Sequence, residues 1–107
     1  MIELVVYQKA DGTAPFRAWF DGLDRAAAEK VTTALQRMAS GNLGDVKPVG
    51  SGVSERRIDW GAGYRVYFAK DGHRLVVLLG GGTKKRQQAD IEDAQSRWAD
   101  YKRRKGS

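Results

Sequence analysis

From Ile2 to Gln8 apolar and polar residues alternate, with Ile2, Leu4 and Val6 on one side, and the segment is rich in β-branched residues, so it predicts a strand. The period changes after the turn residues Asp11-Gly12-Thr13. Phe16, Trp19, Phe20 and Leu23 recur at i, i+3, i+4 and i+7, which predicts a helix capped by Thr13 with Pro15 in its first turn. Asp24 is placed to cap a second helix, in which Ala27, Val31, Ala34, Leu35 and Met38 keep the helical period up to Gly41. The short connection between the two makes a helical hairpin. Residues 41–54 hold four Gly and one Pro and show no period, so they read as a surface loop. Three strand-like runs follow, 55–60, 64–69 and 74–79, separated by Gly61-Ala62-Gly63 and by Lys70-Asp71-Gly72-His73, spacings that suit consecutive antiparallel hairpins. The third run, LVVLL, is apolar throughout and is expected at the sheet centre. Ile91, Ala94, Trp98 and Tyr101 then return at helical spacing and predict a C-terminal helix, beyond which KRRKGS is expected to fray. The order β-α-α-β-β-β-α predicts an α+β fold: an N-terminal strand, a helical hairpin, a three-stranded antiparallel meander completing the sheet, and a C-terminal helix. The helices are expected to cover one face of that sheet.

Composition narrows the class. With 107 residues, 41% of them apolar, the chain fits one domain spanning 1–107 with one core. No run approaches the roughly 20 consecutive apolar residues of a membrane span, and the start lacks the basic region and long apolar stretch of a signal peptide. No membrane role is expected, and the cytoplasm is the expected location. The absence of cysteine excludes a disulfide framework, a thiol nucleophile and a thiolate metal site. His73, the one histidine, lies in a turn-like segment. Neither a metal nor a cofactor is expected. Gly80-Gly81-Gly82-Thr83-Lys84-Lys85 lacks the spacing of a nucleotide-triphosphate loop and reads as a glycine turn carrying two surface lysines. Asp90, at the start of the last helix, is accounted for by the helix dipole.

The net charge of +6 is local. Residues 1–54 carry six Lys/Arg against six Asp/Glu, whereas residues 55–86 carry eight against three. Such a block inside a folded core concentrates positive potential where a polyanion can use it. Strand alternation puts Tyr64, Val66 and Phe68 on one face and Arg65, Tyr67 and Ala69 on the other. Ile58 and Trp60 belong with the core, which leaves Glu55, Arg57 and Asp59 with Arg65 and Tyr67 on an open face. Lys84, Lys85 and Arg86 close one edge of it. Arginine supplies a planar fork for phosphate, lysine a point charge, and Tyr67 a surface on which a base or sugar can stack. Single-stranded RNA suits a sheet of this kind better than duplex DNA, for which no recognition-helix pattern is present.

The stretch ERRIDWGAGYRVYFAKDGHRLVVLLGGGTKKRQQADIEDA, residues 55–94, resembles the core of the RelE/ParE toxin superfamily and, within it, the HigB-like addiction module killer proteins. The resemblance is carried by Glu55 and Arg57, by Gly63-Tyr64-Arg65-Val66-Tyr67-Phe68, and by Gly81, Gly82, Lys84, Gln87, Asp90, Ile91 and Ala94. The upstream F-x-x-W-F-x-x-L helix is also similar. The resemblance implies the toxin of a type II toxin–antitoxin system: a metal-independent endoribonuclease that cleaves messenger RNA, on the ribosome, by attack of a ribose 2′-hydroxyl on the adjacent phosphate. It implies catalytic roles for Arg57, Arg65, Lys84 and Lys85, with Arg65 stabilising the phosphate, and RNA contacts from Arg56, Tyr67 and Arg86. A lysine ranks ahead of Glu55 as general base, because arginines around a carboxylate keep its basicity poor. The pattern departs from the family at Ile91, where an aromatic residue is common. The implied partners are messenger RNA, the ribosome and a cognate antitoxin, a small helix-turn-helix protein of the HigA kind. A ParE-like gyrase inhibitor, or a non-catalytic RNA- or antitoxin-binding module, are the alternatives.

Overall fold

A computed structural model describes residues 2–106. Its elements are β1 (Glu3–Val6), α1 (Pro15–Asp21), α2 (Arg25–Ala39), β2 (Val46–Gly50), β3 (Val53–Ile58), β4 (Tyr64–Asp71), β5 (Leu75–Thr83), a 3-10 turn at Lys84–Arg86, and α3 (Gln87–Lys105). The predicted α+β arrangement is present: an N-terminal strand, a helical hairpin, a β3-β4-β5 meander and a C-terminal helix. The five strands run in the order β1-β5-β4-β3-β2, with β1 parallel to β5 and every other pair antiparallel.

Two local features differ from expectation. Residues 46–50, read as loop, form the edge strand β2, which pairs Val46 with Arg56 and Lys47 with Glu55. A proline-containing segment this short gives no period, yet Pro48 is tolerated because an edge strand has a side that needs no donor. At the first helix, Ala14 rather than Thr13 is the capping position and provides no side-chain bond. Thr13 is drawn back by Asp11, whose carboxylate accepts from its hydroxyl at 2.7 Å and its N–H at 2.9 Å. Asp24 does cap α2, accepting from the N–H of Ala27 at 2.8 Å.

The layer arrangement corrects the sequence expectation more substantially, because helices cover both faces of the sheet. On one face Phe16 of α1 and Val31, Ala34 and Met38 of α2 pack against Ile58, Val66, Phe68, Val76 and Leu78. On the other, Ala94 and Trp98 of α3 pack against Tyr7, Val53, Tyr67, Ala69, Val77 and Leu79. The LVVLL run is buried on both sides for this reason, Val76 and Leu78 facing the hairpin and Val77 and Leu79 facing α3. Fully burying each such aliphatic side chain contributes roughly 1.5–3 kcal/mol.

The glycine run is part of a strand and not a turn. β5 continues to Thr83, with a bulge opposite Tyr67 and Phe68. A Cβ on Gly81 would lie 2.2 Å from the Trp19 ring, and one on Gly82 would lie 2.1 Å from the Asp90 carboxylate. Both layers therefore approach the backbone more closely than any other residue permits. The C-terminal basic segment is also more ordered than expected. Residues 102–105 are helical, Lys102 sits 5.4 Å from the Trp98 ring centre, and Lys105 pairs with Asp71 at 2.6 Å.

Replacing Gly81 by Ala must displace the Trp19 ring, so the variant is expected to lose about 2 kcal/mol of stability, in the range of core overpacking. Urea unfolding with an unchanged slope would measure this, and wild-type stability would show that the Trp19 layer yields freely.

Candidate nucleic-acid interface

Strand register brings the basic residues of three segments to one end of the sheet. Arg57 at the end of β3 lies opposite Arg65 at the start of β4, and Arg65 lies opposite Gly82, two residues before Lys84. Paired positions on one face of a sheet have Cβ atoms about 5 Å apart, so the two arginines are neighbours. Their exposure differs. Arg57 keeps 49% of its side chain exposed and pairs with Asp45 at 3.2 Å, whereas Arg65 keeps 12% and faces Glu55, which is 1% exposed, at 3.6 Å.

Glu55, Arg65 and Tyr67 share the face predicted for them, but that face is not open. The first turn of α3 lies over it. Gln87 donates to Glu55 at 3.2 Å, and Asp90 occupies the space above Gly82. Tyr67 is fully buried, so it offers no surface for a base, a correction to its predicted stacking role. Its hydroxyl has no hydrogen-bond partner among the described residues. Burial, reinforced by the nearby Glu55 and Asp90 carboxylates and opposed by Arg65, pushes the phenol up to about 12. Burial also raises the Asp90 carboxyl above its ordinary value, with Arg86 acting in the opposite direction.

The exposed cations form the accessible part of the site. Lys84, Lys85 and Arg86 lie on the 3-10 turn joining β5 to α3, and all three are exposed. With Lys47 they line a groove of about 690 Å³ whose other walls are Gln87, Gln88, Ala89 and Ile91, so four cations border it and no carboxylate does. Lys47 escaped the sequence reading because it sits in the short proline-containing strand. Only its pairing with Glu55 brings it to this face. Ile91, where an aromatic residue is common in the family, is a groove wall that also packs against the core beneath α3. Arg56 is not part of this surface. It points to the opposite face, is 8% exposed, and donates from Nη1 to the carbonyl of Arg57. Among the described residues no three His, Asp or Glu side chains gather as a metal-holding group, and no helix is long and apolar enough to cross a membrane.

The far half of α3 is tied down by polar contacts. The Tyr7 hydroxyl donates to Asp100 at 2.6 Å, and Tyr101 donates to Asp71 at 2.8 Å. Hydrogen bonds from Lys105 and Tyr101 hold the Asp71 carboxyl below its usual range, and the bond from Tyr7, with help from Arg104 and Arg103, does the same for Asp100.

A twisted sheet between a helical hairpin and a C-terminal helix, with cations gathered where β5 runs into that helix, is a RelE-like α+β arrangement. The chain belongs to the family described as Phage derived protein Gp49-like (DUF891), whose pattern residues 18–99 match, a toxin family within the RelE/ParE-like superfamily. A Haemophilus influenzae protein described as an uncharacterized protein is 42% identical over 84 residues, 78% of this chain and 85% of its own length. Membership of a toxin–antitoxin toxin family implies an antitoxin partner.

The unpartnered Tyr67 hydroxyl predicts that Tyr67→Phe is neutral or stabilising, within about 1 kcal/mol, because no internal hydrogen bond is lost. Chemical denaturation measures this, and a loss of several kcal/mol would show that the hydroxyl has a partner. The depressed Asp71 and Asp100 carboxyls stabilise the fold fully above the unfolded value of about 3.9, and the contribution disappears as pH falls through the lower folded values. Acid titration followed by near-ultraviolet circular dichroism should show loss of the Trp98 and Tyr101 environment below that value. The double variant Asp71→Asn, Asp100→Asn should lack this component.

Proposed function

We propose that this toxin is a messenger-RNA endonuclease of the HigB kind, using its basic groove to hold the phosphodiester it cuts. The observation that carries this reading is the groove bordered by Lys47, Lys84, Lys85 and Arg86 without a carboxylate, adjoining the Arg57–Arg65 pair. Phosphate binding needs such a concentration of cations, because each neutralised phosphate releases condensed counterions.

Cleavage by a 2′-hydroxyl requires removal of its proton, stabilisation of the charge on the five-coordinate phosphorus, and delivery of a proton to the departing 5′-oxygen. The products are a 2′,3′-cyclic phosphate and a 5′-hydroxyl. Arg65 is preorganised for the second task, its guanidinium held by the buried Glu55 so that little side-chain freedom remains to be lost. Arg57 stands beside it with about half its side chain in solvent. Lys84 and Lys85 are the exposed groups for proton transfer and further charge stabilisation, with Arg86 and Lys47 holding the flanking backbone. Glu55 is set too deep beneath Gln87 to reach a ribose hydroxyl, which favours the lysine pair for the proton steps. In this reading the toxin acts in the cytoplasm on messenger RNA at the ribosome and is neutralised by a small helix-turn-helix antitoxin.

Removing Arg65 outright would leave the buried Glu55 without its ion partner, a change that typically costs 3–5 kcal/mol, so the informative variants are on the exposed turn. Primer extension on cellular messenger RNA after brief induction should reveal new 5′ ends confined to translated regions in the wild type. In Lys84→Ala, Lys85→Ala, those ends should fall by about two orders of magnitude, the usual loss for removing acid–base groups, while the circular dichroism spectrum stays native. Growth arrest with intact transcripts would refute the nuclease reading and point to gyrase.

A further inference from the structure

A second cationic site lies on the opposite face of the sheet, in the angle between α2 and β3. Lys30, Thr33, Ala34 and Arg37 recur along one side of α2 and, with Arg56, Ile58, Asp59 and Trp60, line a cavity of about 260 Å³. Arg56 forms its floor. The residue is more than nine-tenths buried, and the backbone of Gly44 packs against its guanidinium, where an added Cβ would come within 2.5 Å. The charge is not neutralised by an ion pair. The nearby Asp45 engages Arg57 at 3.2 Å instead, and the Nε of Arg56 is buried without a hydrogen-bond partner. Lys30 and Arg37 likewise form no ion pair among the described residues, and the one carboxylate of the cavity, Asp59, is exposed. Taking a guanidinium out of water costs several kcal/mol unless an anion accompanies it. Here three cations converge on an enclosed space, and two of them come from one helix face.

We propose that this cavity binds a phosphate group carried by a nucleotide, with Arg56 as the buried ligand, Lys30 and Arg37 closing over it, and Trp60 providing an aromatic wall for the attached base. A doubly charged phosphate matches the excess of cations over carboxylates at the site. The guanidinium fork of Arg37 and the orphan Nε–H of Arg56 supply charge-assisted donors of the kind that recognise its oxygens. Trp60, half-buried and stacked on Tyr64 at 6.2 Å, is rigid enough to receive a base. The site does not depend on the nuclease reading, since it lies across the sheet from the Lys84–Arg86 groove. The phosphate can belong to a free mononucleotide or to an RNA strand.

The test follows the Arg56 Nε–H and Trp60 indole N–H resonances of the ¹⁵N-labelled full chain at low ionic strength, titrated with orthophosphate, adenosine monophosphate or hexauridylate. Saturable shifts of both resonances with orthophosphate and the mononucleotide are expected, weakened about tenfold or more in the exposed-residue variant Lys30→Ala, Arg37→Ala, the loss of charge-assisted hydrogen bonds. They should be unchanged in Lys84→Ala, Lys85→Ala. Tighter binding of the mononucleotide than of hexauridylate assigns the site to free nucleotides, and the reverse order through the same two resonances assigns it to an RNA strand. If no probe moves these resonances, or if the shifts persist undiminished in Lys30→Ala, Arg37→Ala, Arg56 is merely a buried structural cation and the proposal is wrong.

Discussion

Glu55 and Arg65 lie on adjacent strands beneath a helix, nearly out of water, and neither charge is tolerable there without the other. Much of the molecule's organisation follows from that constraint. The pair can exist only where β3 and β4 run in their observed register, and the remaining hydrogen-bonding capacity of Glu55 is met by Gln87 at the start of α3. The charged pair thus locates the first turn of the helix. That turn in turn demands glycine at position 82, because Asp90 fills the space a side chain would need. A desolvated ion pair of this kind is a weak source of net stability, but it is a strong specifier of position, since every misplaced arrangement leaves a charge buried alone.

Covering the sheet on both faces changes where chemistry can occur. The face carrying Arg57, Arg65 and Tyr67 has no open expanse on which RNA could lie. The accessible cations are displaced to its end, where the 3-10 turn and the edge strand β2 leave Lys47 and Lys84–Arg86 in solvent. Arg65 stands at the boundary, rigid and slightly exposed. A surface lysine is mobile and well solvated; a guanidinium fixed by a buried carboxylate needs no reorganisation when charge develops nearby. The two kinds of cation are therefore suited to capture and to stabilisation respectively.

The helix α3 is held by different forces along its length. Near its start the contacts are buried and steric, made through Gly82 and the Glu55 cluster. The middle packs Ala94 and Trp98 into the core. Towards its end, Asp71 and Asp100 bind Lys105, Tyr101, Tyr7 and Arg104 at or near the surface. Exposed pairs contribute little individually and are screened by salt. The C-terminal half is consequently the part of the helix whose attachment depends most on solution conditions.

The succession of elements was legible from period alone. The Ile2–Gln8 alternation, the Asp24 cap, the α2 stripe and the doubly buried LVVLL run all record local geometry or burial that each residue carries with it. Charge counting likewise located the basic block, and alternation assigned Arg57, Arg65 and Tyr67 to one face. What lay across from that face was not legible. The apolar residues of α3 are too sparse to declare which surface they cover, and Tyr67 has the same composition whether stacked on a base or sealed beneath Trp98. Lys47 and Arg56 went astray for related reasons: a five-residue edge strand leaves no periodic trace, and one step along β3 separates an arginine in the groove from one in the core. The glycines of β5 read as a turn because their requirement is imposed by Trp19 and Asp90, far away in the chain. Sequence by itself determined the elements and their amphipathic faces, because those depend on neighbours within a few residues. Only the tertiary structure decided which faces meet, because that depends on close approach between distant segments and on which charges can share a site without water.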